Sequence, residues 1–213
     1  FGIDDYISGL VYFPDGRCEK SDIDWEKYDP KEFYESMKER KVSYKTSCAP
    51  TGGIIDTFER HLEQGKDILC ITLSSALSGT FQTCELVKNQ LSEKYPERKI
   101  TVIDSLSASA GFGMLVYLAV RKKNEGASLE ENAEYISSLI PRLCHWFTVD
   151  DLVYLKPGGR ISPTVAFVGG VLGIKPVLHM DNEGHLVNQF KVRGRRAAVK
   201  ALADKLGELI LTV

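Results

Sequence analysis

Nothing in this chain is arranged to hold a metal. The four histidines, His61, His145, His179 and His185, are scattered and none has metal-site spacing, and the five cysteines, Cys18, Cys48, Cys70, Cys84 and Cys144, include no CxxC pair. An odd, widely spaced set of thiols best fits a reduced compartment. Long apolar runs are missing as well. The run VAFVGGVLGI at residues 165–174 is ten residues long, about half of what crosses a bilayer, so no stable membrane insertion is expected. The residues from Phe1 onward lack the basic and apolar regions of a signal peptide. Charge of one sign is not in excess: 27 Lys and Arg face 29 Asp and Glu, a net charge of -2. That balance provides no global attraction to nucleic acid, and any anion recognition must be local. GFG at residues 111–113 lacks the third glycine of a dinucleotide fingerprint, and the chain has no P-loop lysine and no GxSxG elbow. There is no internal repeat and no low-complexity segment.

What remains is an ordinary globular composition, 213 residues with 43% apolar and 26% charged content, enough for one large or two modest cores. Asp29, Pro30 and Glu32 make a helix start, with the helix running to about Arg40 and Phe33 and Met37 marking its inner face. A second helix over 53–64 lines up Ile54, Ile55, Phe58 and Leu62 and ends at Gly65. Then DILCITLS reads as a strand, the segment to Lys94 as a helix, and KITVID as a strand. A helix over 107–123, a capping box at Ser128 and Glu131 opening a helix to Leu139, and a strand in CHWFTV follow. This alternation predicts an α/β fold with a mainly parallel sheet covered on both faces and ligand groups at the carboxyl ends of the strands. After Asp150 the pattern changes. IKPVLHM, the turn DNEG and HLVNQFKV read as an antiparallel hairpin, followed by an amphipathic helix over 195–208. The expected organisation is a three-layer N-terminal α/β domain over residues 1–149 and a smaller α/β domain with a mixed or antiparallel sheet over 150–213. The chain opens without a methionine and stops within the apolar run ELILTV, so it reads as incomplete at both ends.

The richest stretch is ITLSSALSGTFQTCELVKNQL, residues 71–91, where an apolar strand runs through a hydroxyl-rich, glycine-containing turn straight into a helix. The first N–H groups of a helix lack internal partners and meet the positive end of its dipole, so a carboxylate or phosphate beside Ser78, Gly79 and Thr80 is stabilised. Ser75 and Ser78 add hydroxyl donors, and Gly79 keeps the backbone open. The same residues are preferred helix caps, and this segment alone leaves both readings open.

Two further segments, KTSCAPTGG at residues 45–53 and YLKPGGRIS at 154–162, break the tie. With them the chain resembles the DegV family, whose pattern has a Thr-Ser turn, an LSGT turn, a VIDS strand end, a GGRIS turn, an IKP strand and a KVRGR segment. Here these stand in order as Thr46-Ser47, residues 77–80, 102–105, 158–162, 174–176 and 191–195. The family's first turn usually reads TSQPS, whereas Cys48 and Ala49 occupy those places here. The resemblance implies a bacterial, cytoplasmic, non-catalytic carrier that binds a long-chain fatty acid and presents its carboxylate to a separate fatty acid kinase, feeding phospholipid metabolism. No cofactor other than the bound lipid is implied. It also implies that Thr46 and Ser78 hold the carboxylate, with Ser47, Ser75, Gly79 and Thr80 in support. Neutral hydroxyl donors hold a carboxylate without neutralising it, which leaves an oxygen able to attack a phosphoryl group. Arg160, in the glycine-rich turn, is then a kinase-facing residue that supports phosphoryl transfer, and the apolar run 165–174 a candidate tunnel for the acyl chain. Two other classes stay open on the residues alone: a serine-dependent acyl hydrolase or transferase using Ser78, and a phosphate-metabolite binding module at the same helix end.

Overall fold

A computed structural model of the chain describes residues 2–21, 24–38, 44–150, 152, 155, 158–161 and 173–210. They fall into two units, residues 1–70 with 78–102, and residues 71–77 with 103–213. The boundary drawn from the sequence at residues 149 and 150 therefore lies inside the second unit.

In the first unit, β1 (Leu10–Tyr12) pairs antiparallel with both β2 (Cys18–Lys20) and β3 (Lys45–Ser47), with Leu10 opposite Lys20 on one side and Ser47 on the other. This small sheet has no counterpart in the sequence reading, and it corrects the placing of Thr46 and Ser47: they lie on a strand, Thr46 opposite Val11, rather than in a turn. The helix α1 (Pro30–Ser36) starts as expected, the Glu32 N–H donating to Asp29 Oδ1 at 2.9 Å. It stops four residues before Arg40, which lies outside the described residues, and Phe33 and Met37 are half-buried rather than core.

The core of this unit forms between α2 (Thr51–Leu62) and α3 (Thr80–Lys94), because each helix repeats its apolar residues at three- and four-residue spacing. Ile54, Phe58 and Leu62 from α2 meet Cys84, Val87 and Leu91 from α3, with Ile100 beneath and Cys70 and Val102 packed against the cluster. The helix α2 begins two residues earlier than expected, directly after Pro50, and closes in a Schellman arrangement, Lys66 N–H to His61 O at 3.1 Å and Gly65 N–H to Leu62 O at 2.9 Å. The strands β4 (Ile68–Thr72) and β5 (Ile100–Asp104) pair side by side. Ile68 N–H donates to Lys99 O at 2.8 Å and Ser105 N–H to Thr72 O at 3.2 Å, so residue numbers rise together along both strands and the pairing is parallel, with α3 as its crossover.

In the second unit, α4 (Ser109–Asn124) and α5 (Leu129–Leu139) form a helix pair burying Leu115, Ala119 and Ile136. The capping box at Ser128 and Glu131 is present in both directions, at 3.2 and 2.8 Å. A short 3-10 turn (Ile140–Arg142) leads to β6 (Trp146–Thr148). This strand joins an antiparallel sheet of order β6-β7-β8, where β7 (Ile174–Met180) and β8 (Leu186–Arg193) are the expected hairpin and a bulge falls between Val177 and Leu178. β8 exposes Gln189, Lys191 and Arg193 in alternation, the period of a half-covered strand. The helix α6 (Arg195–Ile210) packs on the same sheet. The architecture is thus the mixed α/β class, with one parallel pair and separate antiparallel sheets among the described residues. Among the described residues no helix is long and apolar enough to cross a membrane.

Candidate functional site

The LSGT turn forms as the sequence predicts, because β4 ends at Thr72 and α3 begins at Thr80 with Gly79 in the N-cap position. Gly79 makes no side-chain cap, and the nearest hydroxyl does part of that work instead: Thr80 N–H donates to Ser78 Oγ at 3.3 Å, and the hydroxyls of Ser78 and Thr80 lie 2.8 Å apart. Ser78 therefore closes the start of α3. A hydroxyl can donate one hydrogen while accepting another, so the Ser78–Thr80 pair can supply a proton to an incoming anion while keeping the turn closed. The N–H groups of Phe81 and Gln82 belong to the first turn of α3, where an α-helix offers them no internal acceptor.

The strand β3 brings the second hydroxyl segment to the same place. A Cβ built on Gly79 would lie 4.0 Å from Cys48 Sγ, in ordinary van der Waals contact, so the chain just after Thr46 and Ser47 borders the LSGT turn. Ala49, next in sequence, is 3% exposed and anchored in the α2–α3 core, which fixes the height at which Thr46, Ser47 and Cys48 pass. The Thr46 side chain is exposed, and Ser47 is half-buried with its hydroxyl donating to Cys48 O at 3.3 Å. Thr46, Ser47, Ser78, Gly79 and Thr80 thus all belong to the first unit.

The remaining candidates lie in the second unit. Ser75 N–H donates to Asp104 Oδ1 at 3.1 Å, and the same oxygen accepts from Leu106 N–H at 3.1 Å, so the VIDS carboxylate ties the end of β4 to the turn after β5. Ser74 and Ser105 are wholly buried, Ser74 Oγ donating to Gly184 O at 2.9 Å and Ser105 Oγ accepting from Ser107 N–H at 3.1 Å. Leu106 and Ser109 hold φ of 46° and 50°, a left-handed conformation that non-glycine residues keep only where their surroundings enforce it. Asp104, Ser74 and Ser105 escaped the sequence reading as individuals. The usable signal was their position, short polar residues at the carboxyl ends of two neighbouring parallel strands.

Arg160 is exposed, with its Nε donating to the carbonyl oxygen of Leu77 at 3.1 Å and its Nη1 to Gly158 O. Arg160 is therefore bonded to the Leu77 carbonyl, and both residues belong to the second unit. Ser162 of the same motif and residues 165–172 of the apolar run lie outside the described residues, as does most of the expected tunnel lining. In the KVRGR segment, Lys191 and Arg193 are exposed on β8 and Arg195 opens α6, 4.0 Å from Asp150. The Lys175 ammonium bonded to Asp150 at 3.1 Å, with Arg195 nearby, holds that carboxyl below its ordinary range.

His145 was assigned no role from the sequence, yet it packs closely against α4. Its Nδ1 lies 3.1 Å from Met180 Sδ, and its buried Nε2 has no hydrogen-bond partner among the described residues. A Cβ added at Gly111 of α4 would come within 1.3 Å of that Nε2, so only glycine fits there. Burial, reinforced by the neighbouring His179, pushes the His145 imidazole below its usual value, and burial does the same to His179.

Against known proteins, the family model described as "Uncharacterised protein, DegV family" matches residues 16–210. A DegV domain-containing protein of Clostridium perfringens is 39% identical over 182 residues, covering 85% of this chain and 62% of the relative. The chain thus spans less than two thirds of that curated relative. Among solved structures, a DegV lipid binding protein from Thermotoga maritima is 30% identical with a TM-score of 0.79, covering 95% of this chain and 68% of the other. The Fatty Acid Kinase (Fak) B3 protein of Streptococcus pneumoniae, loaded with linoleic acid, is 28% identical with a TM-score of 0.84, covering 95% and 69% respectively.

Proposed function

Because this chain belongs to the DegV family, we propose that it is part of a long-chain fatty acid-binding protein that presents the carboxylate of its ligand to a fatty acid kinase for acyl phosphate formation. The observation that carries this reading is the meeting of two hydroxyl-bearing segments at Gly79 and Cys48, at the N-terminus of α3. In this reading Thr46 and Ser78 donate to the carboxylate, Thr80 steadies Ser78, and the first-turn N–H groups and helix dipole of α3 favour the negative charge. No cationic side chain is assigned to the carboxylate. An arginine or lysine there would hold the carboxylate more tightly and lower its nucleophilicity, whereas hydroxyl donors leave it able to attack the γ-phosphoryl group of a nucleotide.

The structural neighbours named for lipid or linoleic acid support the ligand class. Acyl-chain burial then supplies most of the affinity, at about 0.8 kcal/mol for each methylene removed from water, and the hydroxyls supply orientation. The protein performs no hydrolysis of its own in this reading, and the kinase provides the chemistry.

Two measurements on the full-length protein test it. Organic extraction followed by mass spectrometry should release a long-chain fatty acid, and affinity across a saturated series should rise steeply with chain length before reaching a plateau. Affinity indifferent to acyl length, or acyl ester cleavage that disappears in Ser78→Ala, would replace the carrier by a hydrolase. Competition by inorganic phosphate would replace it by a phosphate-binding module.

A further inference from the structure

The first unit also carries an aromatic surface around α1. Its rings form one connected seam. Tyr28 lies 5.2 Å from Phe13 between ring centroids, Phe13 lies 5.5 Å from Tyr44, and Tyr44 lies 4.7 Å from Phe33. At the outer end Trp25, Phe33 and Tyr34 close a triangle with sides of 5.5, 5.6 and 5.5 Å. Phe33 is half-buried, whereas Trp25 and Tyr34 are 36% and 57% exposed, so two adjacent large rings meet water as a patch. Trp25 holds a φ of 56°, a left-handed conformation that a bulky residue keeps only where its surroundings enforce it. The backbone is therefore strained at the residue that presents the indole.

Charge identifies what this surface accepts. Residues 24–35 bring five carboxylates, Asp24, Glu26, Asp29, Glu32 and Glu35, against Lys27 and Lys31, and all seven are exposed. Lys27 lies 4.0 Å from Glu19, Lys38 bonds Glu35 at 2.6 Å, and Asp29 caps α1. Asp24 and Glu32 have no cationic partner among the described residues. Aromatic faces are negative and the carboxylates add to them, so the surface attracts cations and repels nucleic acid and anionic headgroups. The inner end of the seam already holds a cation in this way. The Arg17 guanidinium stands 4.5 Å from the centre of the Phe13 ring while its Nε donates to Asp15 Oδ2 at 2.7 Å. Ring and carboxylate are thus filled from within at one end and open at the other.

We propose that the Trp25–Phe33–Tyr34 triangle is a docking surface for an arginine-bearing segment of a partner protein. The guanidinium stacks on the exposed rings, and its N–H fork bonds a carboxylate adjacent to them in sequence, Asp24 or Glu32. A planar face and a fork of donors belong to arginine, and the compact, strongly hydrated ammonium of lysine offers neither. Tryptophan, tyrosine and arginine are also the side chains that dominate protein contacts.

The test is a calorimetric titration of the full-length protein with a blocked Gly-Arg-Gly-Arg-Gly peptide and with its counterpart carrying citrulline, which keeps the shape of arginine without the charge. The expected result is saturable binding of the arginine peptide, about tenfold tighter than the citrulline peptide and weaker at high salt. Trp25→Gly removes the indole where the backbone suits glycine, and Tyr34→Ala truncates an exposed side chain. Each should weaken the arginine peptide several-fold, with a melting curve to check the fold. Asp24→Asn combined with Glu32→Gln leaves the rings in place and should reduce both affinity and salt dependence. Absence of saturation at millimolar peptide, equal binding of the citrulline peptide, or full affinity in Trp25→Gly overturns the proposal. Self-association of the protein alone, seen by sedimentation and lost in Trp25→Gly, would assign the surface to a second copy and overturn it too. Fatty acid affinity, measured on the same variants, should not change, so the docking surface stands or falls separately from the fatty acid reading.

Discussion

Two residues carry the proposed recognition, and their settings differ. Thr46 projects from β3 with an exposed side chain, whereas the Ser78 hydroxyl is engaged with Thr80. Replacing both by alanine removes two neutral hydrogen bonds to the ligand, about 1 kcal/mol apiece and roughly 30-fold in affinity together. The thermal midpoint should move little, and fatty acid titration beside a melting curve checks both expectations. His145 makes a different prediction. Its folded-state ionisation is depressed by burial and by His179, so the unfolded chain binds a proton at a pH where the folded protein does not. Stability is complete above the ordinary histidine value and is lost as the pH falls below it, and His179 adds in the same sense. The described groups facing this site are Met180 on β7, Gly111 on α4, His179, and Asp181, whose charge partly opposes the depression of His179. Denaturant midpoints should therefore decline between roughly pH 7 and 5, above the range where carboxylates titrate. His145→Gln should flatten that slope, and an unchanged slope would remove His145 as its source.

At the scale of elements, the α5 capping box gives a direct check on local stability. Ser128→Ala removes the acceptor of the Glu131 N–H and should cost about 1 kcal/mol, readable as a lower denaturant midpoint with an unchanged m-value. Helices of this kind were legible in the sequence, because a cap and an apolar period together fix where a helix starts and which side it buries. α3, for example, ends at Lys94 as expected. The strands β1, β2 and β3 were not, since each is three residues long and β2 and β3 carry charged and polar residues rather than an apolar run such as CHWFTV, and Thr46 read as a turn residue for the same reason. β6 was recognisable as a strand, but its pairing with β7 was not. Antiparallel partnership depends on residues some thirty positions away, such as Trp146 opposite His179, and no local spacing encodes it. The local geometry of the candidate segments was legible in part. Hydroxyls and glycines at a strand-to-helix turn announced themselves, while the His145–Gly111 fit is a contact between distant residues that composition cannot express.

At the scale of the whole molecule, Arg160 is the residue at which the proposed partnership with a kinase can be tested. Its side chain bonds the Leu77 carbonyl and remains exposed, so it can both support the LSGT segment and meet a docking protein. Arg160→Ala should change fatty acid affinity by no more than about threefold, the scale of one hydrogen bond away from the ligand. It should lower acyl phosphate formation with a fatty acid kinase and ATP far more, and equal turnover by mutant and wild type would exclude it from that step. The bond from Ser74 to Gly184 bears on how the molecule is made. It joins residues 110 positions apart, and a Cβ at Gly184 would fall 2.1 Å from the serine oxygen, so the turn after β4 is completed by a glycine that emerges from the ribosome long afterwards. At roughly 5 to 20 residues per second, the nascent serine waits on the order of 5 to 20 s for its acceptor. Throughout that interval the polar end of β4 must stay hydrated, and the polypeptide cannot complete the turn after β4 in the order in which it is translated.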